Sequence, residues 1–201
     1  MRIGIFGGSF DPVHLGHLVM AEQCREQGRL DQLWFMPASV PPHKQNRQLA
    51  SFAQRVEMLT LALSGQPAFH IKELENERSG PSYTVDTLSQ IRKTHPDADI
   101  YLIIGADTLL DFPNWRQPQR IVELVALLVA DRPGWDMPDV QEVRSRLSLS
   151  KGVDLRVEVI QMPLINLSST DIRQRSHDGR SVRYLVPRAV EVYMAEKGLY
   201  G

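Results

Sequence analysis

The sequence has one cysteine, no long apolar run and almost no net charge, and each lack removes a class of function. The lone Cys24 excludes an intramolecular disulfide and a zinc site built on cysteines, and it suits a reducing cytoplasm. On a helical pattern it reads as small apolar filler. The most apolar stretch, residues 121–130, has about half the length that a membrane span needs and is interrupted by Glu123, so it reads as a buried strand and no membrane partner is expected. Residues 1–17 carry one basic residue and a few apolar positions before glycines, which is not the pattern of an export signal. Lys and Arg number 23 against 24 Asp and Glu, a net charge of −1, so there is no global field toward nucleic acid or anionic lipid. Anion binding must be local.

What is present suffices for a full core: 201 residues, 42% of them hydrophobic, read as one domain over 1–201. Short apolar runs at 2–6, 33–36, 69–71, 100–104, 125–130 and 155–160 read as strands. Between them, residues 15–27, 51–63, 82–94 and 138–149 repeat apolar positions at three-and-four spacing and read as helices. Strands alternating with helices predict a parallel sheet covered on both faces, because parallel strands need long right-handed crossovers. Ser51, Ser82 and Ser168-Ser169-Thr170 mark helix starts, and residues 182–199 read as a last helix opened by Pro187. Two loops, 37–49 and 75–81, interrupt the alternation and read as substrate-facing.

After the first strand the chain runs Gly7-Gly8-Ser9-Phe10-Asp11-Pro12-Val13-His14-Leu15-Gly16-His17. Strand, glycine turn and helix start form a phosphate-site layout: glycines admit a ligand close to the backbone, and the positive end of the helix favours an anion. The string is neither the dinucleotide fingerprint G-x-G-x-x-G nor a Walker A loop. His14 and His17, three apart, would present two imidazoles to one phosphate chain. The plainer alternative is that one caps the helix and the other is a surface residue. No third ligand at metal spacing accompanies them, so no protein-held metal is expected.

Further along, Pro41-Pro42-His43-Lys44 puts a cation and an imidazole on a stiff loop, or is a solvated turn. Tyr83 and Thr84 open a helix whose start suits a carboxylate, with simple capping by Ser82 as the alternative. Gly105 and Asp107 follow the fourth strand, where Asp107 either meets ribose hydroxyls or caps a short helix. Trp115 offers a flat face, and Arg132 follows the fifth strand, where a surface ion pair is the plain reading. Ser168, Ser169 and Thr170 begin a helix with Arg173 one turn on, a set suited to a triphosphate; capping accounts for the hydroxyls but not for the arginine.

The string GGSFDPVHLGH resembles the signature of the H-x-G-H nucleotidyltransferase superfamily, and specifically of the nicotinate mononucleotide adenylyltransferases; PPHK, PSYT, G-A-D, FPNW and SSTDIR are similar to that family's later motifs. Ser9 stands where Thr is usual, and Leu167 where Ile or Val is. The resemblance runs from Gly4 to Tyr200. It implies a Rossmann-like, doubly wound, mostly parallel α/β sheet with helices on both faces. It also implies transfer of the adenylyl group of ATP to nicotinate mononucleotide, with Mg²⁺ carried on ATP. By resemblance, His14, His17, Lys44 and Arg173 would be catalytic. Gly7, Gly8, Ser9, His17, Gly105, Asp107, Arg132, Ser168, Thr170 and Arg173 would bind ATP. Ser9, His43, Lys44, Tyr83, Thr84, Asp107 and Trp115 would bind the mononucleotide. A homo-oligomer is an allowed state. The competing readings are a relative acting on phosphopantetheine or a polyol phosphate, a nucleotide-binding module without turnover, and a non-catalytic RNA partner; PSYT and FPNW speak against the first, and the intact histidines and the lack of a basic patch against the others.

Overall fold

Six strands form one sheet in the computed structural model, which describes residues 1–39, 49–77, 80, 82–131 and 137–201. They are β1 (Arg2–Gly8), β2 (Gln32–Pro37), β3 (Phe69–Ile71), β4 (Asp99–Gly105), β5 (Ala126–Asp131) and β6 (Val157–Gln161). The order is β3-β2-β1-β4-β5-β6, and every neighbouring pair is parallel. That order is doubly wound: the chain builds outward from β1, then returns to lay β4 on its other side, which leaves a crevice at the carboxyl edge between them.

Eight helices are described: α1 (Leu15–Gln27), α2 (Phe52–Leu63), α3 (Thr84–Thr94), α4 (Ala106–Asp111), α5 (Pro118–Leu124), α6 (Val140–Arg146), α7 (Ser169–His177) and α8 (Arg188–Glu196). They cover both faces, and the strands show why. Alternate residues point to opposite sides of a sheet. Ile3, Ile5, Trp34, Met36, Leu102 and Leu127 join one core with α3 and α5. Phe6, Leu33, Phe35, Tyr101, Ile103 and Leu128 join a second core with α1, α2, α7 and α8. A strand buried on both faces reads as a continuous apolar run, which is how the strands were recognisable in the sequence.

Several expectations change. Residues 121–130 are not one strand: Ile121–Leu124 ends α5, and β5 begins at Ala126. Pro118 at the start of α5 presets a helical φ, and the helix buries Ile121, Val122 and Leu124 as fully as a strand would, so apolarity alone could not separate the two. The α3 helix begins at Thr84, with Tyr83 in extended backbone at its cap, so Ser82 does not cap it. Pro187 precedes α8 as its cap residue, and α6 is shorter than expected, starting after Asp139, whose side chain accepts from the Gln141 N–H at 2.8 Å. Ser51 does cap α2, in a reciprocal box with Gln54. Cys24 lies fully buried on α1, and burial pushes its thiol up to about 12, which fits apolar filler. Among the described residues, no helix is long and apolar enough to cross a membrane.

Candidate active site

β1 delivers Gly7 and Gly8 to the carboxyl edge, beside Met36 and Pro37 of β2. A Cβ built on Gly7 would meet no atom within 4 Å, so the space beside it belongs to the cleft. The chain then turns through Phe10, at φ 47°, a left-handed conformation that costs a bulky residue on the order of 1–2 kcal/mol. Burial holds it there: its ring packs at 5.5 Å on Phe6, 5.5 Å on Phe35 and 5.1 Å on His17. The turn directs the chain into α1.

His14 caps α1, and the two histidines form a reciprocal box. His14 Nδ1 accepts from the His17 N–H at 3.3 Å, while His17 Nδ1 accepts from the His14 N–H at 3.2 Å. The rings stack with centroids 3.6 Å apart. Both Nδ1 atoms act as acceptors, which assigns the proton of each neutral ring to Nε2 and makes that atom the donor. Capping and phosphate binding are thus compatible here, since capping selects the tautomer. A Cβ on Gly16 would lie 3.0 Å from His14 Nδ1, so glycine lets the stack form. The two imidazoles are not presented equally: His17 lines the cleft, whereas His14 is 2% exposed behind it.

The cleft holds about 340 Å³ and is bordered by Gly7, Gly8, Ser9 and His17 on one side and Gly105, Asp107 and Trp115 on the other. Asp107 sits inside the first turn of α4, which is capped by Gly105, so its expected alternative role as a cap is not what the fold uses. Trp115 also walls a second cavity of about 320 Å³, with Ser82, Tyr83, Thr84, Asn114 and Arg116. There the Arg116 guanidinium lies 4.3 Å from the centre of the Tyr83 ring, and the Ser82 hydroxyl is buried without a hydrogen-bond partner.

Ser168, Thr170 and Arg173 stand at the start of α7 and line neither cavity, but they are tied to the first loop. Ser168 Oγ accepts from the Asp171 N–H at 3.1 Å, Ser169 Oγ donates to the Pro12 carbonyl at 2.9 Å, and Arg173 donates to the Asp11 carbonyl at 2.6 Å and to Thr170 Oγ1 at 3.2 Å. Arg55, 2% exposed, donates to the Ser9 carbonyl at 2.8 Å and the Ala50 carbonyl at 3.2 Å. Burial lowers its pKa while the Asp11 carboxylate opposes that shift. Asp11, Arg55 and Arg116 are the residues that sequence reading passed over. Asp11 lies within the quoted motif, but nothing local shows that it is buried. His43, Lys44 and Arg132 lie outside the described residues.

Among the described residues, no three His, Cys, Asp or Glu side chains gather as a metal cage, and Asp107 is the one carboxylate lining the larger cleft. That set fits a divalent ion that keeps its waters and rides on substrate phosphates.

An α/β sheet with this crevice defines a class: the Cytidylyltransferase-like family model matches residues 5–175. Full-length relatives narrow it. One named "Probable nicotinate-nucleotide adenylyltransferase", from Geobacillus thermodenitrificans, is 46% identical over 100% of this chain and 86% of its own. Another of that name, from Thermus thermophilus, is 44% identical over 100% of both. The chain belongs to the nicotinate-nucleotide adenylyltransferase family. Among solved structures, the Plasmodium falciparum nicotinic acid mononucleotide adenylyltransferase complexed with NaAD superposes with a TM-score of 0.81 at 19% identity, over 99% of this chain and 97% of that one. At that identity the likeness is one of fold.

Proposed function

We propose that residues 1–201 form one cytoplasmic nucleotidyltransferase domain that joins nicotinate mononucleotide to the adenylyl part of ATP, giving nicotinate adenine dinucleotide and pyrophosphate in NAD biosynthesis. The observation that carries this reading is the meeting of two cavities at Trp115, one bordered by the glycine turn and His17, the other by the start of α3. The first has the chemistry of a phosphate site and the second that of a site for a flat, anionic ring.

An oxygen of the mononucleotide 5′-phosphate attacks the α-phosphorus in line. A new P–O bond forms, the bond to the bridging oxygen breaks, and pyrophosphate leaves with that electron pair. The protein positions the groups and stabilises charge, and needs no covalent nucleophile. His17 donates from Nε2 to the phosphate oxygens, with the His14 ring stacked behind it and the His14 N–H donating to His17 Nδ1 to hold that ring and tautomer. The backbone at Gly7, Gly8 and Ser9 admits the phosphates, and Ser168, Thr170 and Arg173 hold their far end. Gly105, Asp107 and Arg132 meet the adenosine part, while His43 and Lys44 place the mononucleotide phosphate. Tyr83, Thr84 and Trp115 take the ring, whose carboxylate suits the start of α3. Mg²⁺ on the triphosphate would neutralise charge as it develops, with Asp107 the side chain nearest in chemistry to it.

Pyrophosphate release is the test, with ATP and Mg²⁺ and, in parallel, nicotinate mononucleotide, nicotinamide mononucleotide and phosphopantetheine. Strong turnover with the first, reduced by about 10²- to 10³-fold in His17→Ala, is the expected result. ATP binding without turnover on any of the three would replace the enzyme by a nucleotide-binding module.

A further inference from the structure

Asp11 is fully buried, 0% exposed, in the loop between the glycine turn and His14. Two donors converge on its Oδ1: the hydroxyl of Tyr200, beyond α8, at 2.6 Å, and the Ala50 N–H at 3.1 Å. Its Oδ2 has no hydrogen-bond partner and lies 3.6 Å from Arg173 Nη1, the same nitrogen that donates to the Asp11 carbonyl. Two donors on one oxygen fix the plane of the carboxylate, and that plane directs the other oxygen at the guanidinium. A buried carboxylate this close to a cation has little to gain elsewhere, so the arrangement is held from the Tyr200 side. Burial and the Asp11 carboxylate both raise the pKa of the Tyr200 hydroxyl, which keeps it a donor.

We propose that Tyr200 is a positioning residue for the reaction: through Asp11 it sets the orientation in which Arg173 meets the phosphates of ATP. The inference rests on the reading of Arg173 as an ATP contact. Tyr200 lies 189 positions from Asp11 in the chain, and its effect on nucleotide binding passes through one hydrogen bond.

Tyr200→Phe keeps the ring and removes the hydroxyl. The expected result is a rise of about fivefold in the KM for ATP, the scale of one ordinary hydrogen bond because the effect reaches Arg173 indirectly, with the KM for nicotinate mononucleotide within about twofold of wild type. Asp11→Asn keeps an acceptor for Tyr200 and Ala50 but removes the charge facing Arg173, and should give the same ATP-selective rise. Combined with Tyr200→Phe it should be no worse than the larger single effect, because both act through one carboxylate. A Tyr200→Phe protein with both KM values unchanged, whatever its thermal midpoint, overturns the proposal. Arg173→Ala, run alongside, separates the two ideas. If it raises the KM for ATP while Tyr200→Phe does not, the positioning role fails and the reading of Arg173 stands; if it leaves the KM for ATP unchanged, both fall.

Discussion

Behind the glycine turn, the loop that leads into α1 is held by polar groups drawn from distant parts of the chain, the charged Asp11, Arg55 and Arg173 and the neutral hydroxyl of Tyr200. Where the cleft meets α3, the walls are two short runs of consecutive residues: Ser82, Tyr83 and Thr84 face Asn114, Trp115 and Arg116, partly open to solvent. The proposed phosphate end therefore resists displacement of any one group, because each is bonded to a loop carbonyl or to another charge. The proposed ring end depends on side-chain packing and can change without disturbing the loop before α1. Such a division suits an enzyme whose chemistry demands fixed donors and whose specificity demands an adaptable pocket.

The largest effect should come from the rigid side. Arg55→Met strips two loop carbonyls of their donor and leaves Asp11 with less opposing charge, and should cost about 3 kcal/mol, lowering the thermal midpoint by about 6–12 °C in calorimetry. A midpoint within about 2 °C of wild type would mean that this guanidinium does not hold the loop. Next, Tyr83→Ala on the open side should lower the midpoint by less than Arg55→Met and keep the KM for ATP within about twofold, while raising the KM for nicotinate mononucleotide about tenfold. An equal rise in both KM values would erase the distinction between the ends. The smallest effect is in the pH dependence of stability. Burial raises the Cys24 thiol from 9.0 to about 12 and holds the Tyr200 hydroxyl above 10.0. The folded state then keeps protons that the unfolded state loses, so this stability is complete below about pH 9 and declines as pH rises toward 12. Denaturant titrations from pH 8 to 11 should show a shallower decline in Cys24→Ala than in wild type, and in Tyr200→Phe too.

Much of the site was legible. Gly7 and Gly8 after an apolar run, with His17 following, pointed to the carboxyl edge where they line the cleft, and β1 to β6 lie within two residues of the expected strands. The reading failed where two structures bury the same surface. Residues 121–124 are as apolar as a strand and are helical because of Pro118. Likewise Ser82 looks like a cap, yet the helix starts two residues later.

By itself the sequence determined the continuous apolar runs that the central strands bury on both faces, the alternation of strand and helix that makes the sheet parallel, and the identity of the donors at its edge, because these follow from bonds and sterics within a few residues. Only the tertiary structure decided that Arg116 lies over Tyr83 and that Tyr200 reaches Asp11. Those contacts join groups whose meeting depends on how β1, β4 and the helices around them close on one another, and no local pattern of residues encodes a distance of that kind.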